Sequence, residues 1–250
     1  MLMLGAVAFI VAGALFHVRQ SRAAEPGITL TWYGQSAFRL DSPGGAVAVM
    51  DPVPDKLGYT MPKTKADVVT VSHEHFDHIA VDKATGGPKV LRGLKPGGRG
   101  WNTIDETVSD LHVVSVGTWH DAEQGKQRGL NSVFVVETGG LRIAHLGDLG
   151  HLLTEEQLAA IGKVDVVLIP VGGHFTIDAS EALQVVDQLK PRRVVIPMHF
   201  KTSRMTMKVP IATVEPFLKK AGKVRKLKDN KLTLTPGGRG REIVLLGAGW

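Results

Sequence analysis

Residues 73–78 of this 250-residue chain read His-Glu-His-Phe-Asp-His, three imidazoles and a carboxylate at H-x-H-x-D-H spacing. They follow the run Val68, Val69, Thr70 and Val71, a short continuous β-branched stretch of the kind that forms a buried strand. In extended backbone, residues two apart point the same way, so His73 and His75 can share one cation. A turn at Phe76 can then aim Asp77 and His78 at a neighbouring one. No helix or strand requires so many polar groups at a strand end, and a metal site accounts for all four. The chain has no cysteine, so the donors are nitrogen and oxygen alone, a set that suits zinc first, with manganese and iron as alternatives.

Three distant residues fit the same chemistry. His120 follows the strand-like run 113–116, Asp148 closes the string His145-Leu146-Gly147-Asp148 after the run 141–144, and His199 ends the run 194–197. Ligands at the ends of several strands converge on one edge of a sheet, where α/β proteins build their sites. A carboxylate such as Asp148 can bridge two dications and offset part of their repulsion. Two ions roughly 3.5–4 Å apart activate a water at neutral pH and steady the leaving group. Asp77 and Asp148 together neutralise only part of the charge of such a pair. Lys201 and Arg204, in the loop after His199, are therefore expected to rim a positive pocket that selects an anionic small molecule. His17, His112 and His151 stand alone and read as surface or satisfied histidines.

The elements that must position these residues are mostly short strands. Further β-type runs cover 28–32, 37–40, 46–50, 132–136, 164–171, 231–234 and 243–246, with Pro43-Gly44-Gly45 as a turn. Capping boxes at Thr154-Glu155-Glu156-Gln157 and Asp178-Ala179-Ser180-Glu181 open two helices, closed by Gly162 and stopped by Pro191. In the second, Ala182, Val185, Val186 and Leu189 share one face. A third helix is expected over 213–221, and 83–102 reads as a loop holding one short strand. No composition break follows Pro26, so residues 25–250 form one α/β domain with a mixed sheet.

Residues 1–24 differ. Sixteen apolar or small residues precede His17, Arg19, Arg22, Ala23 and Ala24, the pattern of a signal peptide for export to the periplasm or beyond. The positive charges follow the apolar run, which is also the arrangement of an uncleaved membrane anchor through residues 1–18. The formal net charge is +6, two of it from Arg19 and Arg22. The basic residues are scattered and form no aromatic-interleaved stripe, so composition implies no nucleic-acid partner. Oligomeric state leaves no trace in the sequence.

The cluster Ser72-His73-Glu74-His75-Phe76-Asp77-His78 with His120, Asp148 and His199 resembles the metallo-β-lactamase superfamily. It resembles most closely the branch of metal-dependent hydrolases near the ascorbate-6-phosphate lactonases. The strings at 32–38, Asp51-Pro52, 145–148, Gly172-Gly173-His174-Phe175-Thr176 and 196–200 carry that branch resemblance. It implies an αββα sandwich, two sheets face to face with helices outside. It implies that His73, His75 and His120 hold one metal, that Asp77, His78 and His199 hold a second, and that Asp148 bridges. It implies that Asp77 is catalytic, that His174 lines the pocket as a second catalytic residue, and that His145 orients a ligand. Leu149 and residues 200–204 depart from the branch on the substrate side. The absent cysteine ligand speaks against a true β-lactamase. Hydrolysis of an ester, lactone or phosphoester is the expected reaction. A membrane-facing hydrolase resembling the N-acyl-phosphatidylethanolamine phospholipase D branch, and a non-catalytic metal-holding scaffold, are the alternatives.

Overall fold

A computed structural model describes residues 27–238 and 240–247. Cleavage or anchoring through residues 1–24 lies outside the described residues, among which no helix is long and apolar enough to cross a membrane. In chain order the strands are β1 (Ile28–Trp32), β2 (Phe38–Asp41), β3 (Val47–Met50), β4 (Thr64–Lys65), β5 (Val68–Val71), β6 (Ala84–Thr85), β7 (Lys89–Arg92) and β8 (Asp105–Val108). They continue with β9 (Leu111–Trp119), β10 (Leu130–Thr138), β11 (Leu141–His145), β12 (Val166–Pro170), β13 (Val194–Met198), β14 (Val224–Lys226), β15 (Lys231–Leu234) and β16 (Glu242–Leu245). The α-helices are α1 (Glu155–Ile161), α2 (Ala179–Leu189) and α3 (Glu215–Ala221).

Two mixed sheets result, ordered β15-β1-β2-β3-β5-β7 and β14-β16-β13-β12-β11-β10-β9-β8, with β4 and β6 forming a separate ribbon. In the first, β1, β2 and β3 form an antiparallel meander and β3, β5 and β7 run parallel. In the second, β8 to β11 are antiparallel and β11, β12, β13 and β16 parallel.

Strand alternation decides which residues meet. Ala48, Met50 and Val68 enter the main core with Trp32, Phe38 and residues of the second sheet. Their neighbours Val49, Val69 and Val71 point the other way, onto Leu57, Tyr59 and Met61. Every residue of β12 and β13 is buried, as parallel strands covered on both faces must be. The outer cover is helical: α1 lies on β9, α2 on β12, and α3 on α2. The buried face of α2 carries Ala182, Val185, Val186 and Leu189, and each buried Val or Leu contributes about 1.5–3 kcal/mol. The architecture is thus the α/β sandwich expected, with one refinement. Among the described residues, loops and a 3-10 turn (Asp55–Leu57) cover the first sheet where an α-helix was expected.

Both capping boxes form, Thr154 with Gln157 and Asp178 with Glu181. Helix α3 begins at Glu215 rather than at 213, and Pro216 stands in its first turn, where a missing N–H costs nothing. Strands β8 and β14 were not expected. Both lie at the edges of the second sheet, and their sequences Asp-Glu-Thr-Val and Val-Arg-Lys lack an apolar period.

Candidate metal centre

The C-terminal ends of β3, β5, β9, β11 and β13 open onto one edge of the sandwich and deliver Asp51, His73, His120, Asp148 and His199 there. The chain turns sharply to do this. Gln35, Asp51 and His199 have left-handed φ values of 49°, 44° and 49°, each costing on the order of 1–3 kcal/mol. Backbone bonds hold the turns: His199 N–H donates to Gln35 O at 3.1 Å and Asp51 N–H to Thr70 O at 2.9 Å. Two glycines let neighbouring chain close in. A Cβ on Gly172 would lie 2.3 Å from the His199 carbonyl oxygen, and one on Gly150 the same distance from the His120 carbonyl carbon.

The seven proposed ligands form two groups joined by one carboxylate. Ligand atoms of His73, His75 and His120 lie within 4.8 Å of one another, as do those of Asp77, His78 and His199. Asp148 Oδ2 stands between the groups, 3.8 Å from His73 Nε2, 3.3 Å from His120 Nε2, 3.3 Å from His78 Nε2 and 3.1 Å from His199 Nε2. His73 Nε2 and His78 Nε2 are buried without a hydrogen-bond partner among the described residues. Buried polar atoms are rarely left so. Unpartnered imidazole nitrogens crowded around a carboxylate, with nitrogen and oxygen donors throughout, are what divalent cations would satisfy, so the residues fit the metals.

The ligands are themselves held. Asp51 accepts Ser72 N–H on Oδ1 at 2.7 Å, and Ser72 Oγ–H and His78 Nδ1–H on Oδ2 at 2.5 Å and 2.9 Å. Ser72 Oγ in turn lies 2.9 Å from His73 Nδ1, where it accepts that ring's proton. One carboxylate thereby turns Nε2 of both His73 and His78 toward the centre, the usual work of groups behind metal ligands. A further grouping of Asp51 with His73 and His78 is of this orienting kind, because both Asp51 oxygens are already occupied. Gln35 Nε2 donates to Asp77 Oδ2 at 2.9 Å. Asn131 Oδ1 accepts the Asp148 N–H at 2.9 Å. His145 accepts the Gly147 N–H on Nδ1 at 3.2 Å and donates Nε2–H to Ser36 O at 2.7 Å, fixing the turn that carries Asp148. Asp51, Gln35 and Asn131 carry no assigned role in the sequence, although Asp51-Pro52 and the string 32–38 that holds Gln35 belong to the branch resemblance.

Electrostatics divide the imidazoles. Burial, with the nearby His78 and His120 rings, pulls His73 and His75 below the ordinary histidine value, which keeps a lone pair free. Burial also works against charge on His78 and His199, but the carboxylate of Asp148, joined by Asp77, outweighs it and raises both. Asp148 and Asp77 are held well below the carboxylate range: burial opposes this, and His199 and His78 overcome it for Asp148, chiefly His78 for Asp77. In metal-free protein, protons on His78 and His199 thus stand where cation charge would.

The centre opens into a cavity of about 420 Å³, within the range of small-molecule sites. His75, Asp77, His120, Asp148 and His199 reach it, as do Gln35, Gln127 and Arg128. Two expectations need correction. Lys201 and Arg204 do not line this cavity. The left-handed turn at His199 sends Phe200 against Trp32, with ring centroids 5.2 Å apart, and Lys201 borders a separate hollow. His174 does not line it either. Its φ of 57° leaves the side chain exposed and edge-on to Phe175, and Phe175 is the one that faces the cavity. The solitary His112 pairs with Asp105 at 2.7 Å, and His151 accepts the Trp119 N–H at 3.1 Å.

Comparison with known proteins follows the same lines. A family model described as the β-lactamase superfamily domain matches residues 29–199. A UPF0173 metal-dependent hydrolase from Anaeromyxobacter sp. (strain K) is 34% identical over 216 residues, covering 73% of this chain and 78% of its own length. One from Pyrococcus furiosus is 30% identical over 197 residues, covering 70% and 85%. Among solved structures, a Thermotoga maritima protein described as a Zn-dependent hydrolase of the metallo-β-lactamase superfamily matches with a TM-score of 0.70 and 34% identity, over 88% of this chain and 100% of that one.

Proposed function

This chain belongs to the metallo-β-lactamase superfamily, among the UPF0173 metal-dependent hydrolases, and on that premise we propose that it hydrolyses an ester, lactone or phosphoester with two divalent ions held at this centre. One observation carries the reading: two three-residue donor groups meet on the single oxygen Asp148 Oδ2, at the floor of an open cavity. His73, His75 and His120 would hold one ion, Asp77, His78 and His199 the other, and Asp148 both. Zinc suits the donor set best. When bound, such a pair brings the acidity of a water near neutral pH and stabilises negative charge developing on a carbonyl or phosphoryl oxygen.

The chain's own residues supply position and proton traffic. Asp77 reaches the cavity with one oxygen occupied by Gln35, and as a carboxylate that stays ionised it orients the attacking water by accepting its hydrogen bond. Asp51 and Ser72 keep the imidazole tautomers fixed while this happens. The test is metal analysis of the purified full chain after reconstitution with zinc, manganese or iron, followed by a screen of esters, lactones and phosphodiesters. Two ions per chain and turnover of one of these classes are expected. Asp148→Ala should weaken both ions, and Asp77→Ala or His199→Ala mainly one. A stoichiometry that stays near zero, or wild-type turnover by Asp148→Ala, refutes the reading.

A further inference from the structure

One wall of the cavity is a segment with a period of two. Met205, Met207, Val209 and Ile211 line the cavity, while the intervening Thr206, Lys208 and Pro210 are exposed. The segment is pinned to the 3-10 turn beneath it: Thr206 N–H donates to Leu57 O at 3.0 Å and Thr206 Oγ1 to Lys56 O at 3.1 Å. Leu57 adds its side chain to the same wall. Methionine is unbranched and polarisable, so this surface adapts to apolar groups of varied shape.

The charged side of the cavity is equally built. The buried Asp121 accepts the N–H groups of Glu123 and Gly125 on Oδ1 at 2.8 and 2.9 Å, and those of Gln127 and Arg128 on Oδ2 at 2.9 and 2.7 Å. Four bonds to one carboxylate make residues 121–128 a fixed loop that carries Arg128 into the cavity lining. The Arg128 guanidinium lies 5.7 Å from the ring centroid of Phe175, another lining residue. Its side-chain hydrogen bond goes to Gln127 Oε1 at 3.2 Å, and among the described residues no carboxylate pairs with it. The acids that line the cavity, Asp77 and Asp148, belong to the metal centre. A guanidinium set over an aromatic ring, with no acid partner among the described residues, is available to a planar or tetrahedral anion.

We propose that Arg128 binds an anionic group of the substrate while Leu57, Met205, Met207, Val209 and Ile211 take an apolar one, so that the natural substrate is an anionic amphiphile. This deepens the hydrolytic reading and relies on it only for where the scissile bond lies. The recognition elements are a carboxylate, sulfate or phosphate and an apolar chain or ring on one molecule, either free or presented by a lipid surface.

Binding tests this without turnover. Zinc-loaded full-length protein is titrated calorimetrically with decanesulfonate, decanol and methanesulfonate, the sulfonate being a weak ligand for zinc. Wild type should bind decanesulfonate at least fivefold more tightly than decanol, and methanesulfonate at least tenfold more weakly than decanesulfonate. Arg128→Gln should abolish the preference for the anion and leave decanol unchanged, and Met207→Ser should weaken both ten-carbon probes alike. Equal affinity for the two ten-carbon probes in wild type, or undiminished decanesulfonate binding by Arg128→Gln, overturns the proposal. If the preference is found but no ester, lactone or phosphoester is turned over, the hydrolytic reading fails alone. If turnover occurs while Arg128→Gln binds decanesulfonate as wild type does, the amphiphile proposal fails alone. Retention on phosphatidylglycerol vesicles that Arg128→Gln abolishes identifies a membrane lipid as the source; binding of the free probe without retention identifies a monomeric substrate.

Discussion

Asp51→Asn is the most informative single change outside the ligand set. The replacement keeps the side chain's volume, and asparagine tolerates the φ of 44° at this position, so the backbone has no reason to move. The hydrogen bonds do. Asp51 accepts three: Ser72 N–H, Ser72 Oγ–H and His78 Nδ1–H. An amide has one acceptor atom. With its NH₂ toward Ser72 N–H, two donors oppose each other in a buried place. With its NH₂ on the other side it faces His78 Nδ1, which must then accept, moving the ring's proton to Nε2, the nitrogen 3.3 Å from Asp148 Oδ2. That nitrogen then has no lone pair to offer. The Ser72 hydroxyl loses its acceptor as well, and with it the order imposed on His73. Removing the group behind a ligand typically costs 10–100-fold in metal affinity, about 1.4–2.8 kcal/mol. Because Asp51 serves His73 in one group and His78 in the other, both ions should weaken. Ser72→Ala cuts only the path to His73, so one ion should weaken. Competition with a chromophoric chelator reads both affinities, and thermal unfolding of the metal-free proteins checks that the fold is intact. An Asp51→Asn protein that folds and binds both ions with wild-type affinity would refute the tautomer argument.

Metal affinity should rise with pH. In metal-free protein His78 and His199 hold protons above the ordinary histidine value, and cations must displace them, so binding releases protons and weakens as the pH falls through those raised values. Calorimetry in two buffers of different ionisation enthalpy measures the release; affinity independent of pH between about 6 and 8 would contradict it. The apolar run at residues 1–16, followed by Arg19 and Arg22, should carry the chain out of the cytoplasm. N-terminal sequencing of material from the native host should find cleavage near Ala23 or Ala24, or intact Met1 in the membrane fraction if the segment is an anchor. Intact Met1 in soluble cytoplasmic protein refutes export.

The metal centre was legible because its chemistry is local and restrictive. Few residue types bind a divalent cation, and His73, His75, Asp77 and His78 crowd into one strand end where no fold needs them. The strands that hold them were legible for a related reason: 68–71 and 231–234 carry continuous or alternating apolar patterns, and their observed bounds coincide with those read from sequence. Strands β8 and β14 escaped because none of their residues is buried, so nothing imposes an apolar period on them, whereas the edge strand β15 buries Leu232 and Leu234. Asp51 and Gln35 escaped because a lone acid or amide acquires its role only when folding sets it beside a histidine or aspartate many residues away.

The substrate side is the least legible in the sequence, and Lys201 shows why. Nearness in sequence to His199 suggests nearness to the metal centre, but the chain turns at His199, whose φ is 49°, and Lys201 borders a separate hollow. Arg128 takes the position instead, eight residues beyond His120 and delivered by the bonds that Asp121 makes to the loop backbone. The alternation of Met205, Met207, Val209 and Ile211 is visible in the sequence. Pro210 has no N–H to offer a neighbouring strand, and among the described residues no strand pairs with the segment, so it reads as an ordinary loop. A ligand must be one of a few residue types at a fixed bond length. A wall need only be apolar, and a rim cation need only reach its anion. The same tolerance that hides these residues from sequence reading leaves them free to differ among relatives that keep the metal centre. Substrate preference in this chain should therefore be sought at Arg128 and the methionine wall before the histidines.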